Sequence, residues 1–141
     1  MTLRFGLTWD YRCPFARIVH RHVVEGLLDG ADWEVRFVPF CLGQVHVEPG
    51  EAPIWDRPET DTGILALQAA VVVRDTEPER FPVVHRALFE ARHTAGAQLR
   101  DEAVVRALLI AEGIDADAVF AEVATGRPLA IVRDEHTAAA R

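Results

Sequence analysis

The chain has 141 residues, of which half are apolar and 26% are charged, a balance typical of one globular domain. Its 15 basic and 22 acidic residues give a net charge of −7, and no basic cluster is present, which argues against a nucleic-acid surface. Apolar runs such as residues 69–73 are far shorter than the ~20 residues that a bilayer span requires. No basic and apolar leader precedes Leu3, so we expect a cytoplasmic protein with reduced cysteines and no membrane partner.

The first 40 residues predict a strand, a helix and a second strand. Apolar and polar residues alternate from Leu3 to Trp9, and again from Trp33 to Val38, which is the two-residue period of a strand. Between them the apolar residues recur at helical spacing over 14–28, with Cys13 at the predicted N-cap and Pro14 at the first helical position. A βαβ unit predicts parallel strands with the helix packed across them.

The rest of the chain predicts helices and no further strand. Residues 41–59 are rich in glycine and proline and predict a long irregular connection. We expect the helices after it to form a separate layer. They are predicted over Ile64–Arg74 and to begin at Pro78, Asp101, Asp115 and Pro128.

The position of Cys13 is the most informative feature of the sequence. It follows the carboxyl end of a strand and precedes a helix, where reactive groups of α/β folds gather. The helix dipole and the free backbone N–H groups there favour thiolate over thiol. The alternative interpretation is a small apolar residue in a strand-to-helix turn.

At these residues the chain resembles the DsbA-like branch of thioredoxin-fold proteins, which includes FrnE-type oxidoreductases and hydroxychromene-carboxylate isomerases. The resemblance is carried by Trp9-Asp10-Tyr11-Arg12-Cys13-Pro14-Phe15-Ala16, Val38-Pro39-Phe40-Cys41-Leu42, Phe81-Pro82-Val83-Val84-His85, Phe89, Arg92-His93 and Glu135-His136. It implies an α/β fold: a thioredoxin-like βαβ unit with a large helical insertion and with the C-terminal strands missing.

The same resemblance implies a division of the chain. Residues 1–59 match the N-terminal βαβ half with its connecting loop, 60–126 the helical insertion, and 127–141 the helix that returns to the thioredoxin-like part. The two strands and the loop that follow this helix in the family are not among the 141 residues, so we expect a truncated sequence. The unpaired edge beside Leu3–Trp9 then predicts exposed neighbours of Phe5, Leu7 and Trp9, and a chain that forms homodimers or aggregates.

The resemblance further implies an enzyme, a thiol-disulfide oxidoreductase whose nucleophile is Cys13, followed by Pro14. Ala16 occupies the place of the resolving cysteine, so a disulfide within the motif is excluded. No bound cofactor and no metal are expected; the substrate is a thiol or disulfide, and the second reactant is a low-molecular-weight thiol such as glutathione or mycothiol.

Three alternatives stay open from the sequence. Cys41 is either the resolving thiol for Cys13 or a buried small residue in a turn. The protein is alternatively a glutathione-dependent isomerase or transferase of the hydroxychromene-carboxylate type, or a non-catalytic thioredoxin-like binding module. Asp10, close to the thiol, either opposes thiolate formation or carries its proton.

Overall fold

A computed structural model describes residues 1–141, and its first 40 residues form a parallel βαβ unit. Strand β1 (Leu3–Trp9) pairs in parallel with β2 (Trp33–Pro39), from Leu3 opposite Trp33 to Trp9 opposite Pro39. Helix α1 (Pro14–Leu28) connects them and is followed by Gly30, whose φ of +90° permits the turn into β2. The predicted strands, their parallel pairing and the bounds of α1 are therefore confirmed.

Helices make up most of the remaining chain. The segment predicted as irregular contains a helical turn, α2 (Leu42–Val45), and two short 3₁₀ turns, Ile54–Asp56 and Pro58–Thr60. The helices are α2 (Leu42–Val45), α3 (Ile64–Thr76), α4 (Phe81–His93), α5 (Glu102–Ala111), α6 (Ala116–Ala124) and α7 (Arg127–Ala139). The protein is thus of the mixed α/β class, with a two-stranded sheet and seven α-helices.

One helix begins later than its sequence predicts. Pro78 lies in a turn, in which the amides of Arg80 and Phe81 both donate to the carbonyl of Glu77, and α4 starts at Phe81. The reason is that α3 extends to Thr76, which leaves only a tight turn before α4. Pro82 then occupies the early helical position where the missing N–H costs nothing.

A single core joins the sheet to the helices. Trp9 of β1 and Phe37 of β2 belong to the same group of 25 buried apolar residues as Leu67 of α3, Leu88 of α4 and Val105 of α5. The helices therefore share a core with the βαβ unit rather than forming a separate layer.

The two faces of β1 are unequal. Trp9 is only 1% exposed and packs against Phe81 of α4, with 6.0 Å between ring centroids. On the opposite face Gly6 and Thr8 are exposed. No helix of the protein has both the length and the apolar composition that crossing a membrane requires.

Candidate active site at the amino end of helix α1

Cys13 is the N-cap residue of α1. Its backbone is extended (φ −86°, ψ 114°), and its Sγ accepts a hydrogen bond from the amide of Ala16 at 3.4 Å. Pro14 occupies the first helical position. The predicted local roles of both residues are confirmed. The arrangement places a partly exposed thiol at the amino end of a 15-residue helix.

Apolar side chains surround this end of α1 on its outer side. Phe15 is 77% exposed, and Ile18 and Val19 are each 48% exposed. Their positions on the helix next to Cys13 form a surface that can pack against an apolar group of a substrate.

A buried ion cluster lies immediately beside the cysteine in sequence. The Arg12 guanidinium donates to Asp10 Oδ1 at 3.0 Å through Nε and to Asp61 Oδ1 at 2.9 Å through Nη1. The side chains of Asp10 and Asp61 are 1% and 4% exposed. The cluster ties the end of β1 to the segment before α3.

The hydrogen bonds of the Asp10 carboxylate indicate its structural role. Its carboxylate also accepts hydrogen bonds from the amides of Arg12, at 3.0 Å, and Leu42, at 2.8 Å. These donors and the guanidinium compensate the negative charge. Asp10 is therefore an anchor between β1 and α2.

Cys41 is placed very differently from Cys13. It follows β2 at the N-cap position of α2 and is 0% exposed. Its Sγ lies 3.8 Å from Asp61 Oδ2 and 3.8 Å from Arg12 Nη2, and its amide donates to His136 Nδ1 at 2.9 Å. Burial, with a smaller effect of Asp61, raises the pKa of this thiol to about 11. Both cysteines are free thiols, and only Cys13 is open to solvent.

Sequence reasoning missed a buried chain of hydrogen bonds behind the site. The hydroxyl of Tyr11 lies 2.8 Å from His85 Nδ1, His85 Nε2 lies 2.8 Å from His20 Nδ1, and His20 Nε2 lies 2.9 Å from the carbonyl of Thr8. All three side chains are nearly or completely inaccessible to solvent. The signal in the sequence is His85 and Phe89 on one helical face, but nothing there indicates that His20 lies opposite.

The backbone carbonyl of Thr8 determines which atom carries the proton in each of these hydrogen bonds. Because the oxygen of Thr8 only accepts, His20 Nε2 carries a proton and the neutral His20 accepts at Nδ1. His85 must then donate from Nε2 and accept at Nδ1, so Tyr11 donates its hydroxyl. Burial lowers the pKa of both histidines and raises that of Tyr11, so all three are neutral at pH 7.

Glycines make room for the ion cluster, which leads to a stability prediction. A Cβ at Gly63 would overlap the Arg12 guanidinium, although the backbone there (φ −116°) accepts any residue. We expect Gly63→Ala to displace Arg12 and lower the free energy of unfolding, measured in urea, by about 1–3 kcal/mol.

Gly6→Ala is the matched control for this substitution. A Cβ at Gly6 meets its nearest atom, the Arg36 carbonyl oxygen, at the ordinary contact distance of 3.5 Å. We expect a change within about 0.5 kcal/mol. Equal effects of the two alanines would contradict the crowding at Arg12.

No group of three or more His, Cys, Asp or Glu side chains is arranged to hold a metal ion.

The chain matches no protein-family model, and the search of curated proteins finds no similar sequence.

Proposed function

We propose that the protein is a thiol-disulfide oxidoreductase of the DsbA-like, thioredoxin-fold type in which Cys13 is the nucleophile. The observation that supports this most strongly is the Cys13 thiol at the end of α1, hydrogen bonded by the amide of Ala16 at 3.4 Å. A parallel βαβ unit carries it, as the resemblance implies. The exposed Phe15, Ile18 and Val19 offer an apolar contact for the molecule that carries the disulfide.

The proposed reaction is an exchange of sulfur partners. The Cys13 thiolate attacks one sulfur of a disulfide, a new S–S bond to Cys13 forms, and the other sulfur leaves as a thiolate. A second thiolate then attacks the substrate sulfur of this mixed disulfide and releases Cys13 as thiolate. Across the two steps one incoming thiolate replaces one sulfur of the disulfide: the released sulfur leaves as a thiolate, the other is joined to the incoming thiol in a new disulfide, and Cys13 is regenerated.

The resolving thiol in this proposal is a second small molecule, such as glutathione or mycothiol. Cys41 fits the role poorly because it is fully buried and its pKa is raised to about 11. At pH 7 its thiolate fraction is roughly 300-fold below that of an ordinary thiol, whose pKa is about 8.5. Ala16, where a resolving cysteine stands in two-cysteine members, supplies only its amide.

Selective reaction of the two thiols tests the proposal. We expect iodoacetamide at pH 7 to alkylate Cys13 at least about 100-fold faster than Cys41, because Cys13 is open to solvent whereas Cys41 is buried and burial raises its pKa to about 11. With oxidised glutathione the wild type should form one mixed disulfide, located at Cys13 by peptide mass spectrometry. Cys13→Ser should form none.

Cys41→Ser is the control for this experiment and should still form the mixed disulfide and turn it over with reduced glutathione. Loss of turnover in a folded Cys41→Ser protein would assign the resolving role to Cys41. A Cys13 thiol that reacts no faster than Cys41 would contradict the proposed oxidoreductase activity and favour the non-catalytic binding module.

A further inference from the structure

A cleft of about 410 Å³ lies at the amino end of α3 and is lined in part by Asp61. Its walls come from the segment before α3, from the first two turns of α3 and from the residues that lead into α5. A cleft of this size accommodates a small organic molecule. None of the groups proposed to react with disulfides lines it.

Gln68 is the buried polar group of this cleft. It is 7% exposed, and its side-chain amide makes no hydrogen bond within the protein. Only Trp9 and Arg57 have a side-chain polar atom that is both fully buried and without a hydrogen-bond partner. The amide of Gln68 has no partner either, so its atoms are not fully buried and belong to the exposed part of the side chain. An amide held in this way presents one acceptor and two donors to whatever enters the cleft.

The start of α3 adds further hydrogen-bond donors. Its N-cap is Gly63, which has no side chain to cap the helix, and the amide of Leu67 is the first to bond within it, to the Gly63 carbonyl at 3.3 Å. The amides of Ile64, Leu65 and Ala66 have no acceptor. Of these residues Ile64 and Leu65 line the cleft and Leu65 is the more exposed, whereas Ala66 is buried. The Asp61 carboxylate accepts from the amide of Gly63 just before them. Such amides and the helix dipole favour a carboxylate or another anionic oxygen group.

The charges of the cleft indicate that the ligand carries both signs. Arg100 and Glu59 line it and form no ion pair, whereas Glu102 is held by Arg106 and Asp61 by Arg12. A purely anionic ligand would face Glu59 and the surplus carboxylate of the ion cluster. A molecule with a carboxylate and an ammonium group satisfies Arg100 and Glu59 together.

We infer that this cleft binds a small zwitterion of the amino-acid class, with its carboxylate at the first turn of α3 and Arg100 and its ammonium group towards Glu59. Gln68 hydrogen bonds the bound molecule, and Ile64, Leu65 and Pro58 contact an aliphatic side chain. The site is independent of the chemistry proposed for Cys13, so failure of either leaves the other standing.

Titration of the full chain with L-leucine, followed by amide resonances in ¹⁵N NMR spectra, tests the site. We expect saturable shifts at Leu65, Ala66 and the Gln68 side chain, with a dissociation constant on the order of 1 mM. N-acetyl-L-leucine, which lacks the ammonium group, and L-leucinamide, which lacks the carboxylate, should each bind at least about tenfold more weakly. Absence of saturable shifts at these residues, or equal binding of either analogue, would overturn the assignment.

Two variants and a control complete the test. Gln68→Met and Arg100→Gln should each weaken leucine binding about tenfold or more. Arg100 is exposed and unpaired, so its substitution leaves the fold intact even if Gln68→Met does not. Gln98→Met, at an exposed glutamine outside the cleft, should bind leucine like the wild type. Undiminished binding by a folded Arg100→Gln protein would contradict the inference.

Discussion

Replacing Arg12 by leucine should lower the free energy of unfolding by about 3–5 kcal/mol, because it leaves two buried carboxylates without their common cation. Asp10 and Asp61 are 1% and 4% exposed as side chains, and both bind the guanidinium. Urea unfolding at pH 7.5 measures the loss.

The pH dependence of the Arg12→Leu variant distinguishes lost charge pairing from lost packing. Unpaired buried carboxylates take up protons more readily than those of the unfolded chain, so the folded variant gains stability as the pH falls from 7.5 to 6.5. The wild type should be nearly flat over this range. A variant whose stability does not rise would show that packing, not charge, is what Arg12 supplies.

Arg4→Leu is the control for Arg12→Leu. Arg4 pairs with Glu34 at 2.7 Å, but the two side chains are 71% and 62% exposed. Removal of such a surface pair should cost at most about 1 kcal/mol. If the two variants lost similar amounts of unfolding free energy, the ion cluster would stabilise the fold no more than a surface ion pair does, which would contradict this prediction.

Acid should destabilise the protein through the buried histidines, starting near pH 6.5. Burial lowers the pKa of His20 and His85 in the folded state, so below about 6.5 the unfolded chain binds more protons than the folded one. Their contribution is present above that pH and is lost as the pH falls, with a slope that approaches about 1.4 kcal/mol per pH unit for each histidine that stays neutral. Urea unfolding at pH 7.5, 6.5 and 5.5 measures this dependence.

His85→Gln isolates one of the two histidines. Glutamine has an acceptor and a donor for Tyr11 or His20 but does not titrate, so the loss between pH 6.5 and 5.5 should shrink by about 1 kcal/mol. His22→Gln, at an exposed histidine of the same helix as His20, should keep the wild-type dependence. An unchanged slope in His85→Gln would contradict the neutral buried network.

Much of the local structure follows from the sequence because it depends on neighbouring residues. The alternation over Leu3–Trp9 and the helical spacing after Pro14 predict β1 and α1 with their observed bounds. Asp101 and Asp115 were predicted to open α5 and α6, and each caps its helix by accepting a hydrogen bond from a backbone amide of the first turn. The position of Cys13 belongs to the same kind of inference, since an N-cap is a local feature.

The partners of the buried polar groups were decided only by tertiary structure. Arg12 meets Asp61 across 49 residues, and Tyr11 meets His85 across 74. No periodicity within one element encodes which face of another element it will pack against. The environment of Cys41 shows the consequence: its place after β2 was predictable, but its complete burial between the ion cluster and α7 was not. Burial and charge at that distance depend on how the helices close over the sheet, and this is why the sequence alone left the roles of Asp10 and Cys41 open.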